Sequence, residues 1–561
     1  MKDKSSSSIT SPLFSKAGLA NELDVLGFMK SLPQTFAEAE KLLSSNHRDV
    51  DDNVLQNRIT LSTFIRKFHS EADTLHDNIR KQWVLLDDPA TKLLVSTHQP
   101  NLFAYGGIFK KVVLLETLKT TIETCKEQRI VNLFVIIDHD FIEEIWMRRA
   151  QIPSFHHSSG LLQLRFSVNP SKKWQMVCNI PRPGETTLYN WKREIVSWIK
   201  KSSSSPSQRE KMIDNLNRFW VEVVEIAYSK ARSYSDFNSF MMSKIINSIW
   251  GYNTLFVRLS EISQVLTNGF EFLISNLRTY TDVLARTEQA LLSHGISTGV
   301  SSNSYNKAPL WLHCKCGSKA PISPSTRRKL SFKGSCMSCK KELTLDLNGP
   351  HDRDLSKVIS YLSPRAIAIP LLLSRDLEIS CYCSGKGGLG YLTDANMISK
   401  HLGIRWPLTL VWGSKDVYRG VAQNQAMNAI HMKIPNAESR LQELRSTNDE
   451  YRTKIQDLVN KRTELANAGS SLQSILEDIF PLKEEQRRIR REIEIIEKGT
   501  NIFNLSPCIL DYAVNFGMVD TQKQWCRHLL ENGNLASPVY FNQKNCNSEV
   551  EEDDNKRRVF I

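Results

Sequence analysis

The sequence predicts an α/β protein with a Rossmann-like parallel-sheet core that is split by insertions. Two observations predict the core: apolar strand patterns alternate with a helical pattern early in the chain, and the same alternation resumes after residue 350. Alternating strands and helices are typical of a parallel sheet with crossover helices. A third observation concerns the insertions, which carry two close cysteine pairs and a long heptad pattern.

The first half of the core is predicted from three consecutive segments. Residues 93–96 form a short apolar run, residues 108–125 have helical apolar spacing, and residues 131–137 are apolar and rich in β-branched side chains. This succession indicates a strand, a helix and a second strand.

The second half of the core follows the cysteine-rich stretch at 311–347. We expect strands at 366–369, 377–383 and 408–412, with a helix at 391–402 that ends at Gly403. Glycine just past the last helical residue is a common helix terminator.

A Ser-rich break at 200–208 and a break rich in Ser, Gly and Asn at 297–306 bracket a mainly helical insertion. The predicted units are the first half of the core with N-terminal helices (1–200), a helical insertion (201–306), a zinc-ribbon-like module (307–350), the second half of the core (351–436), a coiled-coil hairpin (437–498) and a C-terminal segment (499–561).

The hairpin is predicted from two heptad seams at 441–465 and 475–496. The break between them, at 467–471, is short enough to force an antiparallel arrangement. Three polar residues interrupt the seams and help to fix their register: Asn448, Arg462 and Gln486. Pro481 is expected to kink the second helix. We interpret the hairpin as a scaffold or a homodimer contact.

Composition narrows the class of protein. The chain has 561 residues, of which 41% are hydrophobic and 24% charged, which is ordinary globular usage. No apolar run approaches the roughly 20 residues of a membrane span, and the first residues lack the apolar stretch of a secretion signal. An odd number of cysteines, eleven, argues against a disulfide framework and for a reducing, cytoplasmic location. The net charge of +13 weakly favours anionic partners.

Two polar loops follow predicted strands, where ligands bind in open parallel sheets. The candidates are His98, Gln99 and Asn101 after the first strand, and Asp138, His139 and Asp140 after the second. We expect both loops to face one crevice. Carboxylates and imidazoles there could perform acid–base chemistry, orient an amine or bind a divalent cation. The alternative is that the Asp-His-Asp run only caps or covers local structure.

A glycine-rich turn spans residues 384–390, between a predicted strand and a helix. Glycines let the backbone approach an anion, and the helix N-terminus favours negative charge. We predict an anion or substrate contact at Gly385, Lys386 and Gly387, although such turns are often only structural. The spacing differs from that of a P-loop.

Four cysteines form two close pairs separated by 19 residues: Cys314, Cys316, Cys336 and Cys339. The pairs predict a structural zinc site, because four thiolates leave no open coordination position for catalysis. The first pair is tighter than usual, so His313 is a possible substitute ligand. Cys381 and Cys383 are instead expected to be small core residues on one strand.

Three segments resemble a known family. The first segment, 93–103, reads LLVSTHQPNLF, and the second, 134–143, reads FVIIDHDFIE. The third segment, 363–391, begins with SPRAIAIP and ends with SGKGGLGY. They resemble, in order, the motifs of the cysteine-adding enzymes of bacillithiol biosynthesis, the BshC family. The residues that fit are Gln99, Leu102, Phe103, Asp138, His139, Asp140 and Glu143. The departures are His98, Asn101 and Gly388, where the family has Gln, Gly and Glu, and Lys386, which replaces a proline.

The resemblance implies a Rossmann-like core, a C-terminal coiled coil that dimerises, and a ligase that joins an amino acid, in the family cysteine, to an amino-sugar acceptor. It also implies an activated carboxylate, and hence ATP. One alternative is a nucleotidyl-transfer enzyme, which the pattern His98-x-x-Asn101 faintly suggests. The other is a nucleic-acid-binding scaffold, although nucleic acid is the less expected partner.

Overall fold

The computed structural model describes residues 24–45, 50–126, 128–293, 295, 307–324, 331–347, 355–430, 436–468 and 471–543. The helices are α1 (Asp24–Lys30), α2 (Phe36–Ser45), α3 (Asp52–Glu71), α4 (Asp77–Val84), α5 (Gly106–Lys126), α6 (Glu185–Ser202), α7 (Pro206–Phe219), α8 (Ile226–Lys230), α9 (Tyr234–Ser243), α10 (Thr267–Ser275), α11 (Leu277–Ser293), α12 (Ala368–Leu377), α13 (Leu389–Leu402), α14 (Val421–Ala429), α15 (Ala437–Asn467), α16 (Gln473–Asn504), α17 (Ile509–Phe516) and α18 (Met518–Glu531). The π-helical segments Trp220–Glu225 and Lys244–Ile249 continue α7 and α9.

The strands are β1 (Lys92–His98), β2 (Ile130–Ile136), β3 (Arg149–Pro153), β4 (Leu161–Arg165), β5 (Leu255–Arg258), β6 (Leu310–His313), β7 (Lys319–Pro321), β8 (Ser323–Pro324), β9 (Ser331–Ser335), β10 (Glu342–Asp346), β11 (Leu362–Pro364), β12 (Cys381–Ser384), β13 (Leu408–Val411), β14 (Val417–Arg419) and β15 (Tyr540–Asn542).

Five strands form a parallel sheet in the order β13-β12-β1-β2-β5. Successive side chains on each strand enter different cores. On β1, Leu94 packs in the core that contains α5, whereas Leu93 and Val95 pack in the core that contains α12 and α13. The sheet therefore has a buried layer of side chains on each face, which explains why its strands are continuously apolar. The predicted α/β class with a parallel sheet is confirmed.

Some predicted elements of the second half were wrong. Residues 366–369 do not form a strand, because helix α12 begins at Ala368 and β11 ends at Pro364. A short apolar run does not distinguish a buried strand from a helix. Pro370 lies in the first turn of α12, where a missing N–H is tolerated. The strand predicted from residue 377 begins only at Cys381. The helix predicted at 391–402 begins at Leu389 and ends at Leu402, and the residue that follows it is Gly403, whose φ is 67°.

The break predicted at 200–208 shrinks to the three residues between Ser202 and Pro206, where Ser205 caps α7. The break predicted at 297–306 lies outside the described residues. The cysteine module contributes strands to two small antiparallel sheets, β11-β6-β7 and β10-β9-β8, of which β11 lies outside the module. Because β6 pairs with β11, the module is joined to the chain that enters the second half of the core.

Helices α15 and α16 pack against each other. Arg440 and Arg445 of α15 form ion pairs with Glu492 and Glu497 of α16, at 2.9 and 2.6 Å. Four side chains form a small buried cluster between them: Ala437, Leu444, Ile489 and Ile496. Helix α16 continues through Pro481 and extends to Asn504, beyond the predicted boundary at 498.

The C-terminal segment packs against α5 and thus belongs to the core. The buried carboxylate of Asp416 accepts hydrogen bonds from Lys110 Nζ, Tyr512 OH and Trp525 Nε1, at 2.6, 2.6 and 2.8 Å. Within the described ranges, the structure contains no helix with the length and apolar character needed to cross a membrane.

Candidate functional site

The two predicted polar loops lie side by side at the carboxyl ends of β1 and β2. His98, the last residue of β1, pairs with Ile136 at the end of β2, and the His98 carbonyl accepts a hydrogen bond from Ile137 N at 2.8 Å. The loop that starts at Gln99 and the loop that starts at Asp138 therefore leave the sheet at the same edge, as parallel pairing requires.

Asp140 lies in the second of these loops, and its carboxylate contacts side chains from two other parts of the chain. One of its carboxylate oxygens accepts a hydrogen bond from Gln99 Nε2 at 2.9 Å, and the other lies 3.7 Å from Lys319 Nζ. The side chain of Asp140 is 32% exposed, so a ligand can reach a carboxylate that is already held on two sides.

Lys319 was not predicted from the sequence, where the lysines of the cysteine module carry no distinguishing pattern. Its side chain is only 1% exposed, and its ammonium group lies 4.8 and 4.6 Å from the ring centres of Phe141 and Trp311. Burial lowers the pKa of Lys319 to about 8, although the nearby Asp140 carboxylate opposes that shift. A lysine of this kind gives up its proton more readily than an exposed one.

The two candidate histidines are both neutral at pH 7. Burial and the nearby Lys111 lower the pKa of His98 to about 3, and burial lowers the pKa of His139 well below its ordinary value. The Nε2 atom of His139 lies 3.1 Å from the carbonyl oxygen of Pro364, which fixes the proton on Nε2. Nδ1 of His139 then carries a lone pair, and it has no hydrogen-bond partner among the described residues.

Asp138 has a structural role in the same loop. Its side chain is fully buried and accepts hydrogen bonds from the backbone N–H and the hydroxyl of Ser260, at 2.9 and 2.5 Å. Burial raises the pKa of Asp138 to about 6. Because Ser260 follows β5, Asp138 caps the turn after the neighbouring strand, which is the alternative that the sequence left open.

Asn101 is 2% exposed, and neither atom of its side-chain amide has a hydrogen-bond partner among the described residues. Nearby, Lys111 Nζ donates to the carbonyl oxygen of Thr97 at 2.7 Å, and the hydroxyl groups of Thr97 and Tyr382 are also 2.7 Å apart. Burial lowers the pKa of Lys111 to about 8. A buried side-chain amide without a partner, such as that of Asn101, commonly binds water or ligand.

The glycine-rich turn leads from β12 into α13. Gly388 N donates to Gly385 O at 3.0 Å, and a Cβ at Gly388 would lie 2.3 Å from Ser384 Oγ, a hydroxyl that rotation of the Ser384 side chain can move away. Gly387 is exposed. The pKa of Lys386 is lowered by burial and by its neighbours Lys110 and Lys415.

Tyr391 lies in the first turn of α13, directly after the glycine-rich turn. Burial raises the pKa of its phenol, and the Asp140 carboxylate adds to the shift. The Asp140 carboxylate therefore lies within electrostatic range of the Tyr391 phenol.

The four predicted cysteines come together at one point. Their sulfur atoms all lie within 4.8 Å of one another, with Cys314 and Cys339 3.6 Å apart and Cys316 and Cys336 3.5 Å apart. A tetrahedral zinc ion with Zn–S bonds of about 2.3 Å separates its sulfur ligands by about 3.8 Å. The cluster could therefore hold a metal ion with only small adjustments.

His313, the possible substitute ligand, does not belong to this group of four. Its Nε2 atom is buried without a hydrogen-bond partner among the described residues. Cys381 and Cys383 are buried in the sheet, as predicted for core residues. None of the ten described cysteines forms a disulfide.

No protein-family model matches the chain, and a search of curated proteins finds no significant match. The fold and the cysteine cluster define the class directly. This is an α/β protein with a five-stranded parallel sheet and a group of four cysteines that could hold a metal ion.

Proposed function

We propose that this protein is a BshC-like ligase that forms an amide bond between an amino acid, cysteine in the first instance, and the amine of an amino-sugar acceptor. The observation that carries the proposal is the Asp140 carboxylate, held by Gln99 and Lys319 and open to ligand at the carboxyl edge of the sheet. The resemblance of the two loops to the family motifs supports the same assignment.

The reaction needs an amine that has lost its proton and a carboxylate that has been activated. Asp140 would bind the acceptor's ammonium group and orient it, and either the partly exposed Asp140 carboxylate or the neutral imidazole of His139, whose Nδ1 is buried, would take the proton. The amine nitrogen then attacks the carbonyl carbon, the C–N bond forms, and the bond between that carbon and the activating group's oxygen breaks. ATP as a co-substrate supplies the activation.

The anionic groups of the substrates would bind at the glycine-rich turn, apart from Asp140. Lys386 and the backbone N–H groups of Gly385 and Gly387 would bind a phosphate or carboxylate in front of α13, where the helix dipole favours negative charge. Asn101, His98 and Gln99 would contact the substrates from the β1 loop.

The strand order supports a Rossmann-like description of the core. Numbered along the chain and read from the β5 edge, the five strands lie in the order 3-2-1-4-5, which begins the strand order of doubly wound dinucleotide-binding sheets. The loops after β1, β2 and β12 then surround the point where the strand order reverses. Ligands of such sheets bind at this point.

The metal at the cysteine cluster is proposed to be a structural zinc ion. Four thiolates complete a tetrahedral site, so the ion would hold the two turns of the module together and would take no part in the chemistry.

We also propose a homodimer through the outer face of α16. Leu476 and Phe480 are 47% and 63% exposed, and the same face continues with exposed Glu484, Arg487 and Arg491. In an antiparallel second copy, Glu484 would face Arg487 and Phe480 would face Arg491. This arrangement supplies a reciprocal ion pair and a reciprocal cation–π contact, as a two-fold interface requires.

The test is incubation of the protein with ATP, cysteine and glucosaminyl-malate, with the condensed thiol followed by mass spectrometry. The variants His139→Ala and Lys386→Ala should lose product, while Lys400→Ala, an exposed lysine of α13, should retain it. Wild-type inactivity across a panel of amino-sugar acceptors would overturn the proposal. Release of pyrophosphate from ATP in that case would favour nucleotidyl transfer.

A further inference from the structure

Lys319 reaches the site from the metal-binding turns of the cysteine module. The first turn is closed by Gly317 N donating to Cys314 O at 3.0 Å and by Cys314 N donating to Ser318 O at 2.8 Å, and Lys319 follows directly. The second turn contacts the same strand, because Met337 N donates to Lys319 O at 3.1 Å. The backbone of Lys319 is thus held between the two cysteine pairs.

The first turn also docks on the segment that supports the Asp140 loop. Gly317 O accepts hydrogen bonds from Met176 N at 3.0 Å and from Asn179 Nδ2 at 3.1 Å. One residue along the chain, Val177 N donates to Asp140 O at 2.8 Å.

The backbone and the side chain of Asp140 therefore depend on the same module. The backbone carbonyl is held by the segment on which the first cysteine turn docks, and the carboxylate is held by the lysine that follows that turn. Gln99 is the other described side chain that fixes the carboxylate.

We propose that Lys319 is a positioning residue for Asp140, and that metal bound by the four cysteines holds Lys319 in place. This inference rests on the proposed function for its effect on catalysis, but not for its effect on structure. Loss of metal would remove the cross-link between the two cysteine turns, which are otherwise held by hydrogen bonds such as those to Met176 and Lys319. The buried ammonium of Lys319 would then leave its place between Phe141 and Trp311, and the Asp140 loop would lose both supports.

The first test measures structure rather than activity. Cys339→Ser removes one ligand, and zinc content and hydrogen exchange would be measured on the full chain. We expect zinc to fall from one equivalent to near zero, and the amides of Met176 and Val177 to exchange at least tenfold faster. Cys125→Ser, an exposed cysteine at the end of α5, is the matched control and should change neither quantity.

If Cys339→Ser does not fold, chelation of zinc from the wild type and its restoration with zinc chloride give the same comparison. Unchanged exchange at Met176 and Val177 after metal loss would overturn the inference.

The second test separates Lys319 from the metal. Lys319→Met should keep zinc and keep the Met176 amide protected, while turnover falls at least tenfold because Gln99 alone then holds the Asp140 carboxylate. Lys319→Arg, which keeps the charge, should recover part of the turnover.

Full turnover in Lys319→Met would refute a positioning role. If the wild type forms no amide product at all, the proposed function fails, but the exchange result still decides whether metal orders the Asp140 loop.

Discussion

Replacement of Lys319 by methionine should change how stability depends on pH. Methionine fills a similar volume and keeps the contacts with Phe141 and Trp311, but it carries no proton. In the wild type, burial lowers the pKa of Lys319 from the ordinary 10.5 to about 8. Between these pH values the unfolded chain binds more protons than the folded protein, so this residue makes stability rise with pH.

The size of the effect follows from the two pKa values. Between pH 8 and pH 9, the free energy of unfolding of the wild type should rise by about 1 kcal/mol relative to Lys319→Met. Other buried lysines with lowered pKa values, Lys92 and Lys111, are present in both proteins and cancel in the difference. Urea unfolding of both proteins at pH 7, 8 and 9 measures how the difference in their free energies of unfolding changes with pH. A difference that stays constant from pH 7 to pH 9 would refute the burial of a titrating ammonium at this position.

Three other changes test separate parts of the structure. Asp138→Ala should lower the free energy of unfolding by about 1–3 kcal/mol, because Ser260 loses its buried acceptor; equal stability in urea would contradict the cap. Cys336→Ser, which changes a fully buried member of the cysteine cluster, should abolish binding of one zinc equivalent and lower the thermal midpoint. If metal analysis finds that the variant retains zinc, the proposed zinc site is wrong. Phe480→Glu should convert the proposed dimer into a monomer, as measured by light scattering, whereas Val519→Glu, at an exposed position of α18, should not. A monomeric wild type would contradict the proposed dimer but not the packing of α15 against α16.

The sheet and its loops were predictable because the relevant signals are local. The runs that became β1, β2 and β13 are apolar over several residues, and the polar residues that follow them must lie at the carboxyl edge once the strands are parallel. The cysteine cluster was predictable for a similar reason, since paired spacing specifies two turns that share one metal. The heptad pattern predicted the two long helices α15 and α16, but it did not predict that α16 extends to Asn504.

What could not be predicted depends on contacts between distant parts of the chain. Asp138 and Asp140 are two residues apart and chemically identical, yet Ser260 buries the first and leaves the second open. Lys319 looks like any other charged residue of the module until the docking of Gly317 on Met176 brings the module against the segment that supports the loop of Asp140. The strand predicted at 366–369 failed because a short apolar run has no period of its own.

We propose that Asp140 orients the amine of the acceptor. The most direct measurement is the rate of amide formation by Asp140→Asn, compared with wild type at saturating ATP, cysteine and amino-sugar acceptor. Asparagine keeps an oxygen for Gln99 but removes the charge that binds an ammonium group. We predict a loss of about 10²–10⁴-fold in turnover, with zinc content and thermal midpoint close to those of the wild type. Wild-type turnover in Asp140→Asn would contradict the account.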